Sequence, residues 1–146
     1  MLDQSEALEP IGLLGTVRRR ERADQLHRQF GSRLTLLDDN KELATHADTI
    51  LLSVKPREIR GICEIIAHSV QKETPIISVA AAVPLNKLHE WLPRSKNIIR
   101  CMPNVPCGIG HGIVSYYTNM EPKQAMCLMS DIFAPNTVCL CRTMLK

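Results

Sequence analysis

The chain has 146 residues, of which 45% are hydrophobic and 23% charged, and its formal net charge at pH 7 is +3. These values are typical of one globular domain with a real core; they exclude a disordered chain and leave little room for a second full domain. So mild a positive charge does not by itself indicate a nucleic-acid partner, and neither a membrane-spanning run nor a secretory signal is visible.

Strands and helices alternate along the chain. Short aliphatic runs predict strands at residues 13–17, 34–37, 49–54, 75–79, 97–102, 112–117 and 137–141. Helical spacing of apolar side chains predicts helices at 18–30, from the turn at 38–40 to 46, from 56 through 70, at 84–92 and from 121 through 132. Gly31 is predicted to end the first helix, the stretch Asp38-Asp39-Asn40 to form a turn and cap the second, and Pro56 to open the third.

This alternation predicts the fold class. Strands separated by helices indicate right-handed crossovers and a mainly parallel sheet. Continuous aliphatic runs are typical of strands that are covered on both faces. We therefore predict an α/β fold, an incomplete Rossmann-like and mainly parallel sheet with helices on both faces, formed by residues 1–146 as a single domain.

Six cysteines and five histidines are possible metal ligands. No C-x-x-C pair occurs and no histidine stands at ligand spacing from a cysteine, so no metal site is predicted. Cys101 and Cys107 have no base nearby in sequence, which argues against a nucleophilic cysteine. Reduced thiols in apolar segments predict a cytoplasmic location, or a mitochondrial one in a eukaryote. The histidines are predicted at the surface, with His111 near the presumed cleft.

Two predicted strands end in polar residues and prolines. Ser53-Val54-Lys55-Pro56 closes one run, and Met102-Pro103-Asn104-Val105-Pro106 closes another. The carboxyl ends of parallel strands form the ligand-binding edge of a sheet, and prolines fix loop shape there, which reduces the entropy lost on binding. A third run is followed by Ala80-Ala81-Ala82, whose small side chains would let a flat ring approach the backbone. These endings predict a binding site.

At these residues the chain resembles the N-terminal domain of the pyrroline-5-carboxylate reductases, from about Val17 to Cys141. Four segments carry the resemblance: 39–42, similar to the family's "xxN-xE" turn; 47–56, similar to "ADVIFLAVKP"; 76–83, similar to "IVSxAAGV"; and 99–106, similar to "IRCMPNTP". Each segment alone is weak, and the specificity lies in the correctly spaced set.

The resemblance implies binding of NADP, or of NAD, and reduction of the imine 1-pyrroline-5-carboxylate to L-proline in proline biosynthesis. The resemblance also implies the cofactor-binding positions. Asn40 would lie at the adenosine end, and Ser53, Val54, Lys55 and Pro56 beneath adenosine and ribose. Val79, Ala80 and Ala81 would lie at the nicotinamide-ribose end, and Asn104 beside the nicotinamide and the substrate. Such a hydride transfer needs two rings held face to face without water, so no certain catalytic residue is assigned.

Several candidate residues have two interpretations. Arg18-Arg19-Arg20 follows the first predicted strand, where NADP-preferring folds hold the 2′-phosphate, and guanidinium forks match phosphate geometry. Arg18 and Arg19 are therefore candidate phosphate ligands, or else a solvated helix start. Lys55 is either a catalytic acid or a cation left in solvent. Asn104 either serves the site or caps its own loop.

The chain departs from the family pattern at both ends. The family opens with a strand and a G-x-G-x-x-[AG] turn that places the pyrophosphate at a helix N-terminus, whereas residues 1–12 contain one glycine. The glycines at 108, 110 and 112 precede a predicted strand and are not predicted to bind phosphate. The family's helical C-terminal domain, which forms its homo-oligomer and much of the substrate pocket, has no counterpart before Lys146.

We therefore expect a fragment in which the first strand and the glycine loop are missing, with weak cofactor binding and no turnover by this chain alone. The alternative is a catalytically silent, truncated product that at most binds a partner protein through exposed sheet and helix faces. A third interpretation is a different dehydrogenase with a similar nucleotide fold, and the Met-Pro-Asn-x-Pro loop argues against it. None of these interpretations involves nucleic acid or a membrane.

Overall fold

The computed structural model describes residues 12–133 and the backbone of residues 138–143. In these ranges the strands are β1 (Leu13–Thr16), β2 (Leu34–Leu37), β3 (Ile50–Leu52), β4 (Ile76–Ser78), β5 (Ile98–Pro103), β6 (Ile113–Thr118) and β7 (Val138–Thr143). The helices are α1 (Arg20–Phe30), α2 (Asn40–His46), α3 (Pro56–Ile66), α4 (Leu85–Trp91) and α5 (Pro122–Ile132). The predicted elements are thus confirmed, with small shifts of their ends.

The strands of the described ranges form two sheets. β1 pairs in parallel with β2, and the second sheet has the order β3-β4-β5-β6-β7. In this second sheet β6 runs antiparallel to β5, while the other neighbouring strands are parallel. The predicted α/β fold with a mainly parallel sheet is confirmed. The predicted loss of a first strand and glycine loop concerns residues 1–11, which lie outside the described residues, and stays a prediction.

Short polar or special residues set the helix ends. The carboxylate of Asp39 accepts a hydrogen bond from the backbone N–H of Lys41 at 3.1 Å, which satisfies a free donor at the start of α2. Gly31 ends α1 with a φ of 55°, a conformation that glycine adopts without steric cost. Pro56 occupies the first turn of α3, where no backbone N–H is needed. All three predicted signals are confirmed.

Each face of the larger sheet has its own core, because successive side chains of a strand point to opposite faces. One face buries Ile76 and Ile98 against residues of α2, α3 and α4, namely Ala44, Ile59, Cys63, Ile66, Leu85 and Leu88. The other face buries Ile77 and Ile99 against Ala125 and Met129 of α5. Cys63 of α3 is thus a buried part of this core.

The smaller sheet and α1 are less buried than the rest. No residue of α1 is buried, and Leu13 of β1 is 45% exposed. In α5, Ala125 and Met129 are buried, whereas Ile132, the last residue of the helix, is exposed. The helices of the described ranges are too short or too polar to cross a bilayer.

Candidate functional site

The carboxyl ends of three neighbouring strands meet at one edge of the larger sheet. β3, β4 and β5 are parallel and in register, with Leu52 beside Ser78 and Ser78 beside Arg100. The segments that follow these strands therefore share one edge, and they contain the predicted residues 53–56, 79–81 and 104. Because β6 is antiparallel, its first residue, Ile113, also lies at this edge. The fold thus brings these predicted residues to the same edge.

The end of β1 is connected to this edge by an ion pair. Arg18 lies directly after β1, and its Nη1 is 3.4 Å from Oε1 of Glu58 in the first turn of α3. The Arg18 side chain is 91% exposed, so this pair contributes little to stability and leaves the guanidinium accessible to an anion. Arg19 is also exposed, at the N-cap of α1. Both arginines thus keep accessible side chains where a phosphate was predicted.

Asn40 is held at the end of β2 by a neighbouring strand. It opens α2, and its Oδ1 accepts a hydrogen bond from the hydroxyl of Thr16, the last residue of β1. With Oδ1 engaged in this bond, the side-chain NH₂ of Asn40 is the group left to donate to a ligand. The predicted adenosine-end residue therefore lies at the carboxyl ends of β1 and β2.

The segment between β3 and α3 is exposed and leads straight into a helix. Ser53, Val54, Lys55 and Pro56 are all exposed, and Lys55 has an extended backbone before α3 begins. The N-terminal end of α3 therefore lies at the same edge as the strand ends, and its helix dipole favours a negatively charged ligand there. The ammonium of Lys55 lies in solvent, which favours the second of its two interpretations.

The segment after β4 contains a backbone conformation that the sequence does not predict. The hydroxyl of the buried Ser78 accepts from the N–H of Ala80 at 3.3 Å, and the N–H of Val79 donates to the carbonyl of Leu52 at 3.2 Å. Ala82 has a φ of 61°, in the left-handed region that alanine rarely adopts. These contacts turn the chain sharply and leave small side chains along the edge.

The loop after β5 is closed by Asn104. Its Oδ1 accepts from the N–H of Ile113 at 2.9 Å, and its own N–H donates to the carbonyl of Ile113 at 3.1 Å. The thiol of Cys107 lies 3.3 Å from the same Oδ1. The side chain makes no cap bond to the 3-10 turn that follows, but it does cap its own loop at the far end. Asn104 instead bonds to the start of β6, a pairing that no local pattern predicts.

Two residues near this edge are missed by the sequence reasoning. Arg100 lies in the middle of β5, and its Nε is buried without a hydrogen-bond partner among the described residues. The sequence signal that could have identified Arg100 is a charged residue inside an otherwise aliphatic strand. Gly112 is buried, and a Cβ there would come within 2.1 Å of the Cys107 sulfur. The glycines at 108, 110 and 112 lead into β6, so they do not form the strand–turn–helix arrangement of a phosphate loop.

Among the described residues, the titratable groups whose pKa is shifted mainly by burial belong to helices. Burial raises the pKa of the Cys63 thiol to about 11 and lowers the pKa of His89 on α4. His89 is half-buried, so its predicted surface position is wrong, whereas the other four histidines are exposed. Among the described residues, no three His, Cys, Asp or Glu side chains are grouped as a metal ion would require.

Comparison with curated proteins identifies similar reductases. The pyrroline-5-carboxylate reductase of Pseudomonas aeruginosa is 33% identical over 94 residues, which are 64% of this chain and 34% of that protein. The enzyme of that name from Escherichia coli is 35% identical over 94 residues, with the same two coverages of 64% and 34%. The predicted resemblance is confirmed, and the matched segment spans about a third of the length of these relatives.

Solved structures show the same fold. A pyrroline-5-carboxylate reductase from Coxiella burnetii has a TM-score of 0.79 and 24% identity, over 93% of this chain and 50% of that one. The Plasmodium falciparum pyrroline carboxylate reductase, solved with NADP bound, has a TM-score of 0.73 and 23% identity, over 96% and 49% of the two chains. A family model covers residues 7–82, slightly more than half of this chain. The chain belongs to the family described as NADP oxidoreductase coenzyme F420-dependent.

Proposed function

We propose that this chain is the nucleotide-binding part of a pyrroline-5-carboxylate reductase, which reduces 1-pyrroline-5-carboxylate to L-proline with NADPH or NADH. The observation that carries the proposal is the convergence of three loop segments, at residues 53–56, 79–82 and 104–112, on one carboxyl edge of the sheet. The curated relatives of the same name supply the reaction, and the relative solved with NADP bound supports the cofactor.

The residues at the edge fit a dinucleotide in their chemistry. Arg18 offers an exposed guanidinium for a 2′-phosphate, and the positive end of the α3 dipole favours negative charge. The small side chains of Ala81 and Ala82 are exposed along the turn after β4 and leave room for a flat ring. When bound, the reduced nicotinamide would supply the hydride for the imine carbon. The protein's task is then to hold two rings face to face and exclude water.

The proposal also states that this chain by itself binds the cofactor weakly and is inactive. Within the described residues no glycine-rich turn joins a strand to a helix N-terminus, where a pyrophosphate would be held. We therefore expect the isolated chain to bind NADPH more weakly than micromolar and to show no turnover. The thiols of Cys63, Cys107 and Cys127 are free, which supports the proposal of a reducing compartment such as the cytoplasm.

An NMR titration tests the proposal at the expected weak affinity. NADPH added to the ¹⁵N-labelled chain should shift the backbone amides of residues 53–55, 79–81 and 104, and leave those of the distant β7 unchanged. In the variant Arg18→Ala the affinity for NADPH should fall about tenfold while that for NADH stays the same, because only NADPH carries the 2′-phosphate. Arg22→Ala, at another exposed arginine on α1, is the control and should change neither affinity.

The outcomes separate the competing interpretations. Shifts that are confined to other surfaces would reject the cofactor site. A micromolar affinity for NADPH would reject the expected weakness, since it would mean that no further phosphate cradle is needed. Equal losses for NADPH and NADH in Arg18→Ala would reject the 2′-phosphate role.

Binding of a partner protein is the second candidate function, and an exposed apolar patch favours it. Val105 is 94% exposed and Ile109 is 77% exposed, and Met102 and Ile113, in the strands on either side of this loop, are more than 40% exposed. Apolar side chains grouped in this way are typical of interaction surfaces. If NADPH causes no shifts, and the unmodified chain self-associates in sedimentation experiments but Val105→Asp and Ile109→Asp do not, this second function is favoured, with a second copy of the chain as the partner.

A further inference from the structure

The loop at residues 104–113 fixes the orientation of the Asn104 amide. A backbone N–H can only donate, so the side-chain atom 2.9 Å from the nitrogen of Ile113 must be the oxygen Oδ1. The N–H of Asn104 in turn donates to the carbonyl of Ile113 at 3.1 Å. With its oxygen thus engaged, the amide has its two N–H donors left, and among the described residues no acceptor is bonded to them. Asn104 is exposed, so these donors are available to a ligand.

Cys107 supports this orientation from the other side. Its sulfur is 3.3 Å from Oδ1 of Asn104 and 3.7 Å from the carbonyl oxygen of Ile113. Its backbone N–H donates to the carbonyl of Asn104 at 3.1 Å. The thiol hydrogen can therefore reach Oδ1 as a second donor, although S–H is a weak one. Cys107 is only partly exposed, and its sulfur faces the inside of the loop.

Gly112 makes this close approach possible. A Cβ at position 112 would be 2.1 Å from the Cys107 sulfur, 2.5 Å from its nitrogen and 2.6 Å from its Cα. Two of these three atoms are backbone, so a side chain at 112 would displace the turn rather than a flexible end. Cys107 thus packs against the backbone of Gly112 while its sulfur reaches Asn104. The three residues form one unit that is closed at the start of β6.

We propose that Cys107 is a positioning residue, which holds Asn104 with its oxygen toward the loop and its N–H donors toward the ligand. The ligand group that this arrangement recognises is an acceptor oxygen, either a carboxamide oxygen of the cofactor or a carboxylate oxygen of the substrate. The proposal rests on the proposed function for the identity of the ligand. The internal orientation of Asn104 does not depend on that identity and can be measured alone.

Amide hydrogen exchange of Ile113 reports the orientation without any ligand. In Cys107→Ala the Ile113 N–H should exchange about threefold to tenfold faster than in the unmodified chain, since losing one neutral hydrogen bond loosens Oδ1 by that factor. Cys107→Ser keeps an O–H donor and should retain slow exchange. Cys127→Ala removes an exposed cysteine on α5 and should leave the rate unchanged.

Two results of this measurement would overturn the positioning role. One is an Ile113 exchange rate in Cys107→Ala equal to that of the unmodified chain. The other is a rate in Cys107→Ser as fast as that in Cys107→Ala, which would show that the volume of the sulfur matters and not its donor. The amide spectra of the variants show whether the fold is intact, and Cys107→Ser keeps the test valid if Cys107→Ala unfolds.

A second arm follows the side-chain NH₂ signals of Asn104 during separate titrations with NADPH and with L-proline. A shift with NADPH assigns the acceptor to the cofactor, and a shift with L-proline alone assigns it to the carboxylate. The ligand-induced shifts of the Asn104 NH₂ signals should be at least twofold smaller in Cys107→Ala than in Cys107→Ser. If NADPH shifts residues 53–55 and 79–81 but neither probe shifts the Asn104 side chain, the inference fails and the proposed function stands. If NADPH shifts none of these signals while the Ile113 exchange rates behave as expected, the proposed function fails and the positioning role stands.

Discussion

Ala82 has a backbone conformation that suits a different residue. Its φ of 61° lies in the left-handed region, where a Cβ crowds the following carbonyl oxygen and costs about 1 to 2 kcal/mol. The similar family segment "IVSxAAGV" has glycine at this position, and glycine adopts the conformation without that cost. The chain therefore carries backbone strain in the turn that borders the candidate site.

Replacing Ala82 by glycine should stabilise the protein. The relief of strain exceeds the extra chain entropy that glycine gives the unfolded state, so we expect a net gain of about 0.5 to 1 kcal/mol in the free energy of unfolding. Urea denaturation of both proteins measures this difference. Ala81→Gly, one residue earlier and without a positive φ, is the control and should be destabilising. A loss of stability in Ala82→Gly would show that the left-handed conformation is not present in solution.

Cys63 couples stability to alkaline pH. Burial raises its pKa from the ordinary value of 9.0 to about 11, so in this window the unfolded chain releases a proton that the folded chain keeps. The contribution of the Cys63 thiol to the free energy of unfolding is fully present below pH 9 and is lost as the pH rises toward 11. The free energy of unfolding should fall by about 2 kcal/mol over this pH range. Cys63→Ala should be less stable at every pH, but it should lack this part of the pH dependence. If the free energy of unfolding changes equally with pH from 8 to 11 in the unmodified chain and in Cys63→Ala, the raised pKa of Cys63 is contradicted.

Residue-scale prediction from sequence worked where the signal is local. Gly31, Asp39 and Pro56 act at the helix ends as their types predict, because capping depends on neighbours in the chain. The positive φ of Ala82 was not predictable, since alanine is rarely found there. The bond from Ile113 to Asn104 was not predictable either, because it joins residues that only the reversal of β6 brings together.

At the scale of single elements, α3 shows how a helix is divided between core and solvent. Ile66 is 2% exposed and packs in the core beneath the larger sheet, while its neighbour Ile65 is 43% exposed. The two side chains are chemically identical and lie in the same turn, so they share the same helix propensity. Any difference between their truncations therefore measures burial.

Ile66→Ala should cost about 2 to 4 kcal/mol of unfolding free energy, because it removes a buried side chain and leaves a cavity. Ile65→Ala should cost less than about 1 kcal/mol, since most of its apolar surface is already in water. Chemical denaturation of both variants provides the comparison. Similar losses for the two variants would mean that Ile65 is covered in solution, for example by a partner.

The elements themselves were largely predictable, and their pairing was not. Hydrophobic periodicity places each strand and helix because it depends on a few neighbouring residues. The split into two sheets depends on which strands become neighbours. No residue pattern in β1 or β3 indicates that these strands belong to different sheets. For the site, the sequence supplied the strand endings, and the resemblance to a family supplied their roles.

At the scale of the whole molecule, the two sheets should differ in local stability. The larger sheet has cores on both faces, whereas α1, which follows β1, buries none of its residues. We expect amides of β4 and β5 to exchange only through global unfolding, and amides of β1 and β2 to exchange at least tenfold faster. Hydrogen exchange followed by mass spectrometry measures both. Equal protection of the two sheets would show that they unfold as one unit.

The antiparallel pairing of β5 and β6 has a consequence for the order of folding. These strands are joined by residues 104–112, a short connection, whereas the parallel pairs from β1 to β5 are separated by helical crossovers. Closing a short loop costs the least chain entropy, so this hairpin is expected to be among the first contacts to form. The Asn104 loop would then take its shape before the rest of the edge assembles around it. An Ile113 amide that gains protection later than those of β4 in pulse labelling would contradict this order.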